Sequence, residues 1–80
     1  MLKDIIRAEY VGGYKIKFQF EDGKIGVLDF ETAIDRKGIF SQLADLEYFK
    51  RFYLNKELGT ICWPNGQDVA PETIYEKIAA

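Results

Sequence analysis

The chain has 80 residues, eleven basic and thirteen acidic for a net charge of −2, and it is 48% hydrophobic and 15% aromatic. A chain this short buries only about two thirds of its unfolded surface, so residues 1–80 are expected to form one domain around one core rich in phenylalanine and tyrosine. The near-balanced charge is unlike the positive patch that displaces counterions from nucleic acid, the lone cysteine excludes an internal disulfide, and no apolar run approaches the roughly 20 residues of a membrane-spanning helix.

In chain order, Ile5 to Tyr10 reads as a first strand, and Tyr14 to Glu21 as a second in which Tyr14, Ile16, Phe18 and Phe20 alternate with polar residues. A three-residue loop, Val11 to Gly13, pairs Tyr10 with Tyr14, Ala8 with Ile16 and Ile6 with Phe18, which keeps apolar side chains together. Asp22 and Gly23 tolerate positive φ angles and predict a two-residue turn into a third strand, Lys24 to Asp29. That turn sets Glu21 opposite Lys24, Phe20 opposite Ile25 and Phe18 opposite Val27. Arg7, Lys15 and Lys17 then share the outer sheet face.

Asp29 is placed to cap a helix over Phe30 to Lys37, with Gly38 at its C-terminal end. The spacing of Ile39, Phe40, Leu43, Leu46 and Phe49 predicts a second helix with one inward stripe. A second hairpin is expected from Arg51, with Phe52 and Leu54 on the same face as Ile61 and Trp63 and a loop over Asn55 to Gly59. Pro64 ends the strand at Trp63, and Asn65 with Gly66 supplies a turn. Pro71 suits the first position of a final helix, Glu72 its positive end, and Asp68 nearby backbone amides. Ile74, Tyr75 and Ile78 form its apolar face. The whole is an α+β fold: a small antiparallel sheet, made of a three-stranded meander plus a second hairpin, covered by short helices.

The run Trp63, Pro64, Asn65, Gly66, Asp68, Pro71, Glu72 and Tyr75 resembles the C-terminal hallmark of the small bacterial proteins called domain of unknown function 2442. The resemblance extends through Asp22, Gly23, Lys24 and Asp29, through Gly38, Ile39, Phe40 and Leu43, and through Phe49, Leu58, Gly59 and Thr60, so it covers nearly the whole chain. One departure is Leu46, where similar proteins often carry proline after the aspartate. The resemblance implies an α+β fold. It also brings the associations of that family, in which some members are joined to a helix-turn-helix DNA-binding domain and some genes lie in toxin-antitoxin-like pairs.

Without histidine the chain lacks the commonest general base and the commonest transition-metal ligand. Cys62 has no histidine to activate it and sits mid-strand, where a packed thiol is expected. Asp68, Glu72 and Asn65 offer too few oxygens for a hard cation. Gly12 and Gly13 lack the lysine and helix of a phosphate loop. No catalytic residue, metal or cofactor is expected, and Met1 leads into charged residues rather than a signal stretch, which points to the cytoplasm. The expected role is a non-enzymatic protein-interaction or regulatory accessory module, antitoxin-like by resemblance, with a protein partner or a second copy bound along the first strand. Two alternatives stand beside it: a regulatory module that reaches nucleic acid through a partner, and a small-ligand or enzyme site on Trp63, Asn65, Asp68 and Tyr75.

Overall fold

The computed structural model describes residues 4–33 and 38–78. The fold is α+β. Strands β1 (Ile5–Gly12), β2 (Lys15–Phe20) and β3 (Ile25–Asp29) form an antiparallel sheet in the order β1-β2-β3, and β4 (Tyr53–Asn55) and β5 (Thr60–Cys62) form a second, two-stranded one. Between them lie α1 (Phe30–Ala33), a 3-10 segment (Gly38–Ala44) and α2 (Leu46–Phe49), and α3 (Pro71–Ile78) closes the described chain. One face of the larger sheet, carrying Ile16, Phe18, Phe20 and Leu28, packs with Phe30, Leu43, Phe49, Ile61, Trp63 and Ile74 into a single core.

Both turns of the meander differ from expectation. The first is a two-residue turn at Gly13 and Tyr14, with Gly12 opposite Lys15, and Tyr10 faces Ile16 while Ala8 faces Phe18. The predicted three-residue loop and its pairing of Tyr10 with Tyr14 are thus displaced by two residues, a shift that preserves which face each side chain occupies. Register breaks at Ile6 and Val11 make up the difference, each placing one extra residue on β1. Gly12 and Gly13, at φ 119° and 53°, supply backbone that side-chain-bearing residues resist. The break at Ile6 reverses the strand's facing there: Ile5 is 2% exposed and Ile6 is 53% exposed, whereas alternation predicted Ile6 inside.

The second turn has three residues, Glu21 to Gly23. The Phe20 amide donates to the Lys24 carbonyl at 2.8 Å, the Gly23 amide donates to the Phe20 carbonyl at 2.9 Å, and Gly23 has φ 94°. Phe18 therefore faces Gly26, and Ile16 faces Leu28. One residue of slip exchanges the two faces of β3: Leu28 is buried, and Ile25 and Val27 point outward. The reason is tertiary. A Cβ on Gly26 would lie 2.8 Å from the Ile78 Cβ, so α3 packs closely on β3 only where the strand presents a glycine.

The Asp29 carboxylate accepts from the Glu31 amide at 3.0 Å and so caps α1. The predicted continuation to Lys37 and its end at Gly38 involve residues 34–37, which lie outside the described residues. The single helix predicted from Ile39 to Phe49 is instead a 3-10 segment and a separate short helix. Asp45, extended at ψ 110°, breaks the run and caps α2 by accepting from the Glu47 amide. Leu46 is the first residue of α2, a position proline tolerates, so the departure noted there from the resemblance leaves the helix start in place. The Lys50 and Arg51 amides close the last turn of α2 onto Leu46 and Tyr48, so β4 starts at Tyr53 rather than Arg51.

In the second hairpin Leu54 faces Ile61, as the apolar pattern predicts, and Asn55 faces Thr60, one residue tighter than the predicted loop. The Asn55 side chain accepts from the amides of Glu57 and Leu58 and folds the connection back. This hairpin joins the larger sheet through the Ile5 amide, which donates to the Gly59 carbonyl at 2.9 Å. The start of β1, expected to be an open edge for a partner, is therefore occupied from within. Gly59 has φ 69°, and a Cβ there would lie 2.6 Å from the Asp4 Cγ. Gly59→Ala should lower stability by about 1 to 3 kcal/mol through backbone strain alone, with a further loss from the clash. In urea unfolding, Asp4→Ala should restore only the clash component.

Candidate functional site

The segment from Thr60 to Tyr75 is a tight reversal followed by a helix start. Pro64 and Asn65 occupy the middle of a turn in which the Gly66 amide donates to the Trp63 carbonyl at 2.9 Å, with Gly66 at φ 95°. The Trp63 amide then donates to the Gln67 carbonyl at 2.9 Å, Asp68 bridges back to Cys62, and the buried Thr60 hydroxyl donates to the Val69 carbonyl at 2.5 Å. Residues 67–69 thus run antiparallel beside β5, a return that the sequence pattern did not show. Pro71 is the first residue of α3 and is buried, and Glu72 sits exposed in its first turn. Asp68 is exposed, and among the described residues its carboxylate binds no backbone amide, contrary to the expected role; its backbone holds the bridge instead.

The polar groups of the motif point to separate neighbours. The Trp63 side chain is fully buried and its indole N–H donates to the Phe49 carbonyl at 2.9 Å. The ring lies against Phe30, Phe49 and Phe52, with centroids 6.0 to 6.5 Å apart. The Tyr75 hydroxyl donates to Asp22 at 2.7 Å, at the far turn of the meander, and its ring stands edge-on to Phe20. The Lys24 ammonium lies 3.9 Å from the Tyr75 ring centroid and donates to the Tyr75 carbonyl. Asn65 is drawn elsewhere: its side chain donates to Gln42 at 2.5 Å.

Three residues that sequence reading passed over complete the reversal. Gln67 is 4% exposed, and its side-chain oxygen accepts from the Tyr48 hydroxyl at 2.5 Å while its nitrogen donates to Gln42 at 3.1 Å. Tyr48 in turn accepts from the Asn65 amide at 3.0 Å. A buried amide is costly unless its hydrogen bonds are made, and Gln42 and Tyr48 make them from outside the motif. Nothing in the local pattern signalled this, because Gln67 reads as an ordinary loop residue. Gln42, Asp45, Tyr48 and Asn65 line a shallow polar recess of ≈ 260 Å³, in which the amide and hydroxyl groups bind mainly one another.

Two groups in this region have displaced acidities. Burial foremost, and the nearby Asp68 charge second, hold the Cys62 thiol above its ordinary value against a lowering hydrogen bond from Asn55. A thiol so held is a poor nucleophile at neutral pH. The hydrogen bond to Asp22 likewise raises the Tyr75 hydroxyl above its ordinary value. Among the described residues no group of three or more cysteine, aspartate or glutamate side chains is arranged to hold a metal ion, and no helix is long and apolar enough to cross a membrane.

Replacing Trp63 separates two contributions. Trp63→Ala should cost about 3 to 5 kcal/mol through the cavity it leaves, and Trp63→Phe about 1 to 3 kcal/mol because the Phe49 carbonyl loses its donor; denaturant midpoints measure both. The Tyr75 bond has a pH signature. Its folded-state pKa is raised, so the stability it adds over Tyr75→Phe is fully present below the ordinary tyrosine value of 10.0 and disappears as pH rises through the folded value. Thermal unfolding of the two proteins should therefore converge only in strong alkali.

Residues 5–80 match the model of a family described as protein of unknown function (DUF2442). No curated protein and no solved structure matches the chain significantly. The chain belongs to the DUF2442 family.

Proposed function

We propose that this member of the DUF2442 family is a non-catalytic protein-interaction domain of regulatory, antitoxin-like type, acting in the cytoplasm. The observation that supports this reading is the outward turn of Ile6. The irregularity at the start of β1 sends Ile5 into the core and leaves Ile6 53% exposed, and bulges commonly re-aim a side chain in this way. Ile6 borders an open groove of ≈ 330 Å³ lined by Asp4, Ile5, Leu54, Lys56 and Gly59. Leu58, beside Gly59 in the chain, is 51% exposed.

An aliphatic centre with an acidic and a basic side chain around it has the composition of a protein interface, whose apolar middle is enclosed by a polar rim. The proposed occupant is an apolar side chain of a protein partner. Nucleic acid enters only through such a partner, because the open sheet face mixes its charges instead of gathering positive ones: in register Lys17 stands opposite Glu9 and Lys15 opposite Asp29, and Arg7 opposite the neutral Gln19. The ligand-site alternative loses its support, because Trp63 is enclosed and Asn65 and Tyr75 spend their polar groups on different neighbours.

Affinity capture from the native cell tests the proposal. A partner recovered by the wild-type chain should bind Ile6→Asp and Leu58→Asp at least about tenfold more weakly, the equivalent of 1.4 kcal/mol, with melting temperatures unchanged. A partner held equally by both variants would remove the groove from the proposal.

A further inference from the structure

The larger sheet has two edges, and they are built differently. β1 carries Arg7 and Glu9, departs twice from regular register and has its first amide bound to Gly59. Charges, bulges and coverage are the devices that keep an edge strand from pairing. β3 has none of them from Ile25 to Leu28, and its register is regular throughout.

The orientation of its backbone follows from the ladder. The Phe20 amide donates to Lys24 and the Phe30 amide to Tyr14 at the two ends of the β2 to β3 pairing. Facing pairs alternate along an antiparallel ladder, so Gly26 and Leu28 direct their backbone groups to β2. Ile25 and Val27 direct theirs away from the sheet. Among the described residues, those four N–H and C=O groups have no hydrogen bond beyond the strand. The side chains of Ile25 and Val27, 54% and 49% exposed, stand in rows where the neighbouring strands carry Arg7 with Gln19 and Glu9 with Lys17.

We infer that β3 pairs antiparallel with β3 of a second copy, about a twofold axis at Gly26, to make one six-stranded sheet. Self-complementarity selects this occupant. An axis at Gly26 sets Ile25 of each copy opposite Val27 of the other, so all four outward groups of each chain gain a partner and aliphatic meets aliphatic. An axis at Val27 would instead oppose Ile25 to Asp29. Glycine on the axis suits the narrow, non-hydrogen-bonded position. On the inner side Ile78 lies over Gly26 and is only half-buried, so the two copies bring their Ile78 side chains together. One five-residue strand from each chain falls short of the ~1,200 Å² of a stable interface, and the dimer is weak and concentration-dependent. Its edge is opposite the one that borders the partner groove, so the two proposals fail separately.

Sedimentation equilibrium from about 10 μM to about 1 mM covers the range in which a contact of this size forms. The wild-type mass should climb toward twice the monomer, and the Ile25 and Val27 amides should exchange more slowly as concentration rises. Val27→Lys should weaken association at least about tenfold with an unchanged circular dichroism spectrum, while Ile6→Asp should leave it intact. A monomer throughout, or association that Val27→Lys does not weaken, would overturn the inference. So would a monomer whose Ile25 and Val27 amides gain protection only in cell extract, since that assigns the edge to a foreign strand.

Discussion

Burial of the Trp63 indole, with its one polar hydrogen satisfied by the Phe49 carbonyl, is the constraint around which this domain closes. A domain of this size has little interior, and large aromatic side chains supply most of what can be removed from water. Trp63 touches Phe30 at the start of α1, Phe49 at the end of α2 and Phe52 just before β4. Three short elements that are too small to be stable alone are thereby held against one ring system. The hydrogen bond adds direction: an indole in hydrocarbon without an acceptor is penalised, so α2 must end where its last carbonyls reach the ring.

That requirement accounts for the reversal after β5. With Trp63 fixed inward, Pro64, Asn65 and Gly66 turn the chain immediately, and residues 67–69 return beside β5 to bring Pro71 to the edge of the core. Gln67 is carried inside by this return and needs Tyr48 and Gln42 to satisfy its amide. The most distinctive part of the sequence thus has a structural account from Trp63 to Pro71. Tyr75 extends it by tying α3 to the turn at Asp22. Among the described residues the aliphatics left facing solvent without such a task include Ile6 and Val11 on one edge strand, Ile25 and Val27 on the other, and Leu58 beside Gly59.

Period-two alternation in β2, the turn glycines, the cap at Asp29 and proline at the start of α3 are properties of near neighbours in the chain, which is why the α+β class, the meander, the second hairpin and the inward set Ile16, Phe18, Phe20, Leu54, Ile61 and Trp63 were legible by reading alone. Their resemblance to the DUF2442 hallmark was legible for the same reason. Register was not. Whether Asp22 and Gly23 make a two- or three-residue connection depends on which face of β3 must be bare, and that is decided by Ile78, more than fifty positions away. The irregularity that exposes Ile6 is likewise tied to the bond between Ile5 and Gly59, and the enclosure of Gln67 to Tyr48. Local chemistry determined which elements form. Long-range packing decided how they align and which aliphatic side chains remain in water, because a slip of one residue costs little within a strand yet exchanges everything it presents to the core.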